Sequence, residues 1–130
     1  MDDALENLPG YALRRASAVT QAEFSGLLHP LNLRPTEASM LVLIGANPGI
    51  TQSALGQAMG VQRANMAPLV ARLEESGYLG RVAVDGRSFG LQLTELGAQV
   101  CSQVKDAIEM HQQKILARIP EAHRDHLVPA

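Results

Sequence analysis

The 130-residue chain has no tryptophan and only two tyrosines and two phenylalanines. With aromatics at 3% and apolar residues at 46%, its interior must be aliphatic and alanine-rich, which favours helices over a β-sandwich. A single cysteine, Cys101, excludes an intramolecular disulfide framework and reads as buried packing rather than a redox sensor. The longest apolar run, Met40 to Ile44, is far too short for a membrane span. The first residues are acidic, so no secretory leader is expected and a reducing cytoplasm is the expected compartment. Repeats and low-complexity segments are missing. So are G-x-S-x-G, H-E-x-x-H, phosphate-cradling glycine loops and Cys/His pairs at a catalytic spacing, so no enzyme and no cofactor are expected. His123 and His126 lie in a charged tail and read as solvated, with no metal site.

Net positive charge is lacking too. Eleven basic residues face thirteen acidic ones, a net charge of −2, and taken alone this disfavours a polyanionic partner. The distribution matters more than the total. Asp2, Asp3 and Glu6 crowd one end, and Asp106, Glu109, Glu121 and Asp125 lie near the other. Between Thr51 and Thr94, four arginines (Arg63, Arg72, Arg81, Arg87) outnumber Glu74, Glu75 and Asp85 by one.

What the chain does have is helical periodicity interrupted by one hairpin. Leu8 to about His29 predicts a first helix, with Pro9 in its first turn. After two prolines, Thr36 is the expected N-cap of a second helix carrying Met40, Leu41, Leu43 and Ile44, stopped by Asn47-Pro48-Gly49. Thr51 is the expected cap of a short third helix that ends at Gly60. A fourth helix is expected over Gln62 to Ser76, its apolar stripe being Met66, Leu69, Val70 and Leu73. Tyr78–Val84 and Ser88–Leu93 read as strands joined by Asp85-Gly86-Arg87, a hairpin signal. Thr94 then caps a long last helix striped by Leu96, Val100, Val104, Ile108, Ile115 and Ile119. About 26 residues would make a rod of roughly 39 Å, and a second copy is the economical cover for its stripe. The tail from Pro120 starts another helix, with Leu127 and Val128 still apolar at Ala130, so the chain is expected to continue.

The order helix, turn, helix, hairpin from Thr51 to Leu93 is that of a winged helix-turn-helix. Its second helix is free to enter a major groove and its wing to reach a neighbouring minor groove. The fold class expected is mainly α with a small β-hairpin wing. Residues 1–34 form an N-terminal helix and connector, 35–93 the winged lobe, and 94–130 dimerisation helices.

The run "ITQSALGQAMGVQRANMAPLVARLEESGYLGRVAVDGRSFGLQLTELG" resembles the DNA-binding lobe of MarR-family regulators. "LPGYALRRA" and "LNLRPTEASMLVLI" fit that family's first two helices, and the Asp85-x-Arg87 tip and "LTELG" are the most specific pieces. The resemblance implies a homodimer whose two lobes read a pseudo-palindromic double-stranded DNA operator, and which acts as a repressor. It implies that Arg87 enters the minor groove while Asp85 holds the wing by pairing with a nearby arginine, for which Arg81 is the candidate. It also suggests a pocket for a small aromatic or carboxylate effector between the first helix and the lobe, with Tyr11, Arg14 and Arg15 in reach and His29 and His111 lining the same crevice. Two departures stand out. Pro68 interrupts the fourth helix, and the first helix has Tyr11-Ala12-Leu13-Arg14 where peroxide-sensing relatives need a reactive cysteine.

Arg63 and Asn65, flanking the outward face of the fourth helix after Gln62, are the expected base readers. Thr51, Gln52 and Ser53 are expected to cap the third helix and meet phosphate through backbone N–H groups. Arg72 reads as a phosphate contact or an i, i+3 partner of Glu75. The rival reading is a winged helix that binds protein and no specific DNA.

Overall fold

In the computed structural model, which describes residues 1–130, each of the first two helices opens on a proline. Helix α1 (Pro9–Leu28) has Pro9 at its first helical position and α2 (Pro35–Ala46) has Pro35 there, where the missing N–H leaves no bond unmade. The N-cap of α2 is therefore Arg34, two residues earlier than the expected Thr36. Glu37 turns back so that its Oε1 accepts the Arg34 N–H at 3.1 Å. A single turn of tight helix, His29–Leu31, and Asn32 in the left-handed region (φ 55°) link the two.

Strand β1 (Ile50–Thr51) leads directly into α3 (Gln52–Met59). The Thr51 side chain accepts the Ala54 N–H at 3.1 Å, and Gly60 closes the helix at φ 67°. Helix α4 (Arg63–Glu75) follows, then β2 (Leu79–Ala83), β3 (Phe89–Leu93), the long α5 (Glu95–Arg118) and one last turn, α6 (Glu121–Arg124). The sheet is antiparallel in the order β1-β3-β2, with Ile50 opposite Leu91 and Arg81 opposite Leu91 from the other side. β1 has no counterpart in the sequence reading: two residues give no periodicity to recognise. Thr94 caps α5 as expected, its Oγ1 accepting the Gly97 N–H at 3.0 Å and donating to the Gly77 carbonyl at 2.5 Å.

One core joins these elements. Met40, Leu41 and Ile44 of α2 lie at its centre, and Leu55, Met66, Val70, Leu73, Leu91 and Val104 close around them. Cys101 is buried there, its Sγ 3.5 Å from the Leu41 carbonyl oxygen. The stripe of α5 is only half used. Val100 and Val104 are buried, whereas Leu96 is exposed and Ile108, Ile115 and Ile119 are half-buried. Helix α1 buries Leu28 alone, leaving Leu13 and Val19 open. No helix is long and apolar enough to cross a membrane.

Candidate nucleic-acid interface

Helix α4 is two-faced. Met66, Val70 and Leu73 point into the core, and Arg63, Ala64, Asn65, Ala67, Pro68 and Ala71 are exposed. Gln62 is its N-cap, and the Gln62 carbonyl accepts the Asn65 N–H at 2.9 Å. Between the first turns of α3 and α4 lies a notch of about 230 Å³ lined by Gln52, Ser53, Gln57 and Arg63. Its floor is possible because residue 56 is glycine: a Cβ there would meet Met66 Cγ at 2.9 Å, so the two helices approach at their barest point. Gln52 and Ser53 open α3, where N–H groups have no intrahelical acceptor.

The arginines of the lobe divide into two kinds. Arg72 does not pair with Glu75. Its Nε lies 3.0 Å from Oε2 of Glu37, a carboxylate only 1% exposed, so that α4 is tied to the start of α2. Arg81 does not pair with Asp85 either. Its Nε and Nη2 grip Glu74 at 3.2 and 2.8 Å, fastening β2 to α4. That bond draws the Glu74 carboxyl below its ordinary pKa. Asp85 instead builds the wing tip from within. Its Oδ1 accepts the N–H groups of Arg87 and Ser88 at 2.8 and 2.7 Å, and these two bonds hold its carboxyl below the usual range. With Asp85 thus occupied, the Arg87 side chain is exposed and free of any carboxylate, as is Arg63.

The expected effector residues do not share one crevice. Tyr11 stacks under the Arg15 guanidinium, 5.7 Å from the ring centre, and both line a pocket of about 430 Å³ with Val19, Ile115 and Arg118, between α1 and the end of α5. Arg14 faces a separate hollow beside Leu5 and Leu8. His29 is at the far end of α1, near Arg34 and Arg72. His111 is buried, its ring parallel to Phe24 at 5.5 Å and its Nε2 3.5 Å from Glu23 Oε2, while Glu23 accepts from Arg118 at 2.6 Å. Besides Leu28 in the core, Phe24 of α1 meets the lobe. It lines an apolar crevice of about 420 Å³ with Thr36, Ser39, Leu43 and Met59, three turns and more from Tyr11.

Sequence reasoning passed over Glu37, Glu74 and Phe24. For Glu37 a signal existed, since a carboxylate three residues after the residue preceding a helix-opening proline is the capping-box spacing. For Glu74 and Phe24 none did, because their partners are set by tertiary packing.

Residues 31–88 match the sequence profile of the MarR family. The chain is 32% identical over 122 residues, 92% of its length and 74% of the other, to a Thauera aromatica protein named as the candidate transcriptional regulatory protein for the hcr operon. It is 30% identical to the HTH-type transcriptional repressor Rv2887 of Mycobacterium tuberculosis, covering 85% of this chain and 81% of that one. A structure of Rv2887 with salicylic acid superposes with a TM-score of 0.75 at 28% identity, over 98% and 94% of the two chains. The transcriptional repressor CouR bound to a 23-mer DNA duplex superposes with a TM-score of 0.89 at 28% identity, over 99% and 95%. CouR with p-coumaroyl-CoA gives 0.87 at the same identity, over 99% and 92%. With the winged lobe, its free arginines and these relatives together, the chain belongs to the MarR family of transcriptional regulators.

Proposed function

We propose that this regulator is a repressor that binds a pseudo-palindromic double-stranded operator as a homodimer, and that it works by binding rather than by catalysis. Residues 35–93 are the DNA-binding lobe, and residues 1–34 and 94–130 supply the dimer contacts. Such a protein works where its DNA is, in the cytoplasm. The observation that carries the reading is the division of the arginines. Arg72 and Arg81 are committed to Glu37 and Glu74 and hold the frame, while Arg63, on α4 with Asn65, and Arg87 on the wing tip stay uncommitted. Arg63 and Asn65 read base edges, Gln62, Thr51, Gln52 and Ser53 set the helix starts against phosphate, and Arg87 lies in the minor groove.

An aromatic carboxylate fits the pocket between α1 and α5, with Tyr11 giving a ring face and Arg15 the free cation, beside Arg118, which Glu23 already holds. Salicylic acid on Rv2887 and p-coumaroyl-CoA on CouR support that class. A ligand there favours a spacing of the lobes that no longer matches half-sites about 34 Å apart.

The test is fluorescence anisotropy against a genomic fragment pool and then the preferred fragment, at several salt concentrations, for wild type and Arg87→Ala. A preferred fragment is expected, with affinity falling steeply as salt rises. Arg87→Ala, which removes one cation from each of the two lobes, should reduce the log–log salt slope by about two. Absence of a preferred fragment would replace this reading with the protein-interaction module that the net charge of −2 favours.

A further inference from the structure

The wing carries an apolar side chain that the fold does not use. Phe89 is 63% exposed, although it is one of only two phenylalanines in the chain. In β3 it alternates with Leu91 and Leu93, and it lies directly opposite Ala83, while Arg81 lies opposite Leu91. These residues share one face of the hairpin. Near its base that face is covered: Leu79 and Leu91 are buried and Arg81 reaches to Glu74 of α4. Further out the core ends, and the cross-strand neighbour is an alanine too small to shield the ring. On the opposite face Val84 is 52% exposed. The distal wing is therefore apolar on both sides, with the unpaired Arg87 at its apex, two residues from Phe89.

We propose that Phe89 packs against the sugar wall of the DNA groove that Arg87 enters; this rests on the reading of the wing as a DNA-binding element. A blade inserted edge-on into a narrow groove meets deoxyribose carbons on its faces and the negative floor at its tip, and an apolar side with a cationic apex matches that arrangement. The charge balance points the same way. With Arg81 committed to Glu74 and a net charge of −2, the wing has one free cation, so counterion release supplies little of its affinity and apolar contact must supply more. No aromatic or cationic partner of this chain stacks on the ring.

Phosphate pairing and apolar packing respond differently to salt. With the fragment preferred by wild type, Phe89→Ala should weaken binding by about tenfold, the effect of exposing roughly half of a Phe side chain again, and leave the salt slope unchanged. Arg87→Ala should lower both affinity and slope, and Phe89→Tyr should keep most of the affinity. Because the chain has no tryptophan, Phe89→Trp gives a single emitter at the site, whose emission should shift and become protected from acrylamide when duplex is added. Wild-type affinity in Phe89→Ala, a slope change like that of Arg87→Ala, or emission from the Phe89→Trp variant that is indifferent to bound duplex would overturn the proposal with the regulator reading intact. A wild type that binds no duplex would overturn both.

Discussion

Glu37 is the one buried carboxylate of the chain, and its two oxygens have separate duties. Taking a carboxylate out of water costs several kcal/mol unless charge and hydrogen bonds replace the lost solvent. Here Oε1 accepts the Arg34 N–H, one of the orphan donors at the start of α2, and Oε2 faces Arg72 Nε at 3.0 Å. Glu37→Ala removes both and leaves a part-buried donor without its acceptor. It should cost about 2–3 kcal/mol in urea unfolding, less than a fully buried pair because Arg72 is partly solvated. Glu37→Gln keeps an acceptor for the cap and should cost less. In Arg72→Ala the carboxylate loses its cation, so the double variant should be less destabilised than the two single losses added together. Simple additivity would mean that the pair is incidental and that α4 is held to α2 by packing alone.

At the scale of elements, the sequence was most legible where a local rule acts by itself. Thr51 and Thr94 cap as expected, Gly60 closes α3, and Asp85-Gly86-Arg87 turns the hairpin, each through contacts within a few residues. What was not legible is choice among partners. Arg72 had Glu75 at helical spacing and took Glu37 from another helix; Arg81 had Asp85 nearby and took Glu74. In both cases the local carboxylate points where the fold does not bring the guanidinium, which only tertiary packing decides. The residues expected to share one crevice fall apart for the same reason: α1 is twenty residues long, so Tyr11 and His29 lie at opposite ends of about 30 Å of helix. Pro68 offers a prediction at this scale. It stands on the exposed face of α4 and withholds one ladder bond, and an alanine there restores the N–H at a site where it meets no core residue. Pro68→Ala should raise stability by about 1–3 kcal/mol, or roughly 4–10 °C in melting temperature. A lower melting temperature would show that the neighbouring turn is built around the proline ring.

Across the whole molecule, three carboxylates with lowered pKa add polar ties outside the core. Glu23, through its bond from Arg118, ties α1 to α5; Glu74, through Arg81, ties α4 to the wing; Asp85, through the Arg87 and Ser88 amides, forms the tip. A carboxylate whose folded pKa lies below its unfolded value contributes stability that is present above about pH 4–5 and lost as pH falls through the folded value. Thermal melts should therefore weaken below about pH 5, and Glu74→Gln should be less stable than wild type at pH 7 yet lose less on acidification. Equal acid losses in the two proteins would remove Glu74 from the account. None of these ties covers Leu13, 72% exposed, or Val19, 52% exposed, on the half of α1 that the lobe never touches, nor Met110, 50% exposed, on α5. If a second copy covers them, light scattering should give about twice the chain mass of 13.9 kDa, and Leu13→Asp should return the value to one chain. Leu13 takes no part in the core, so the lobe of that variant should keep its melting behaviour and its contacts with one half-site. Its DNA affinity should then fall with about half the wild-type salt slope, because each lobe neutralises its own set of phosphates. A monomeric wild type, or a Leu13→Asp variant that keeps the full slope, would mean that one lobe makes all the contacts and that the open face of α1 serves something other than a second copy.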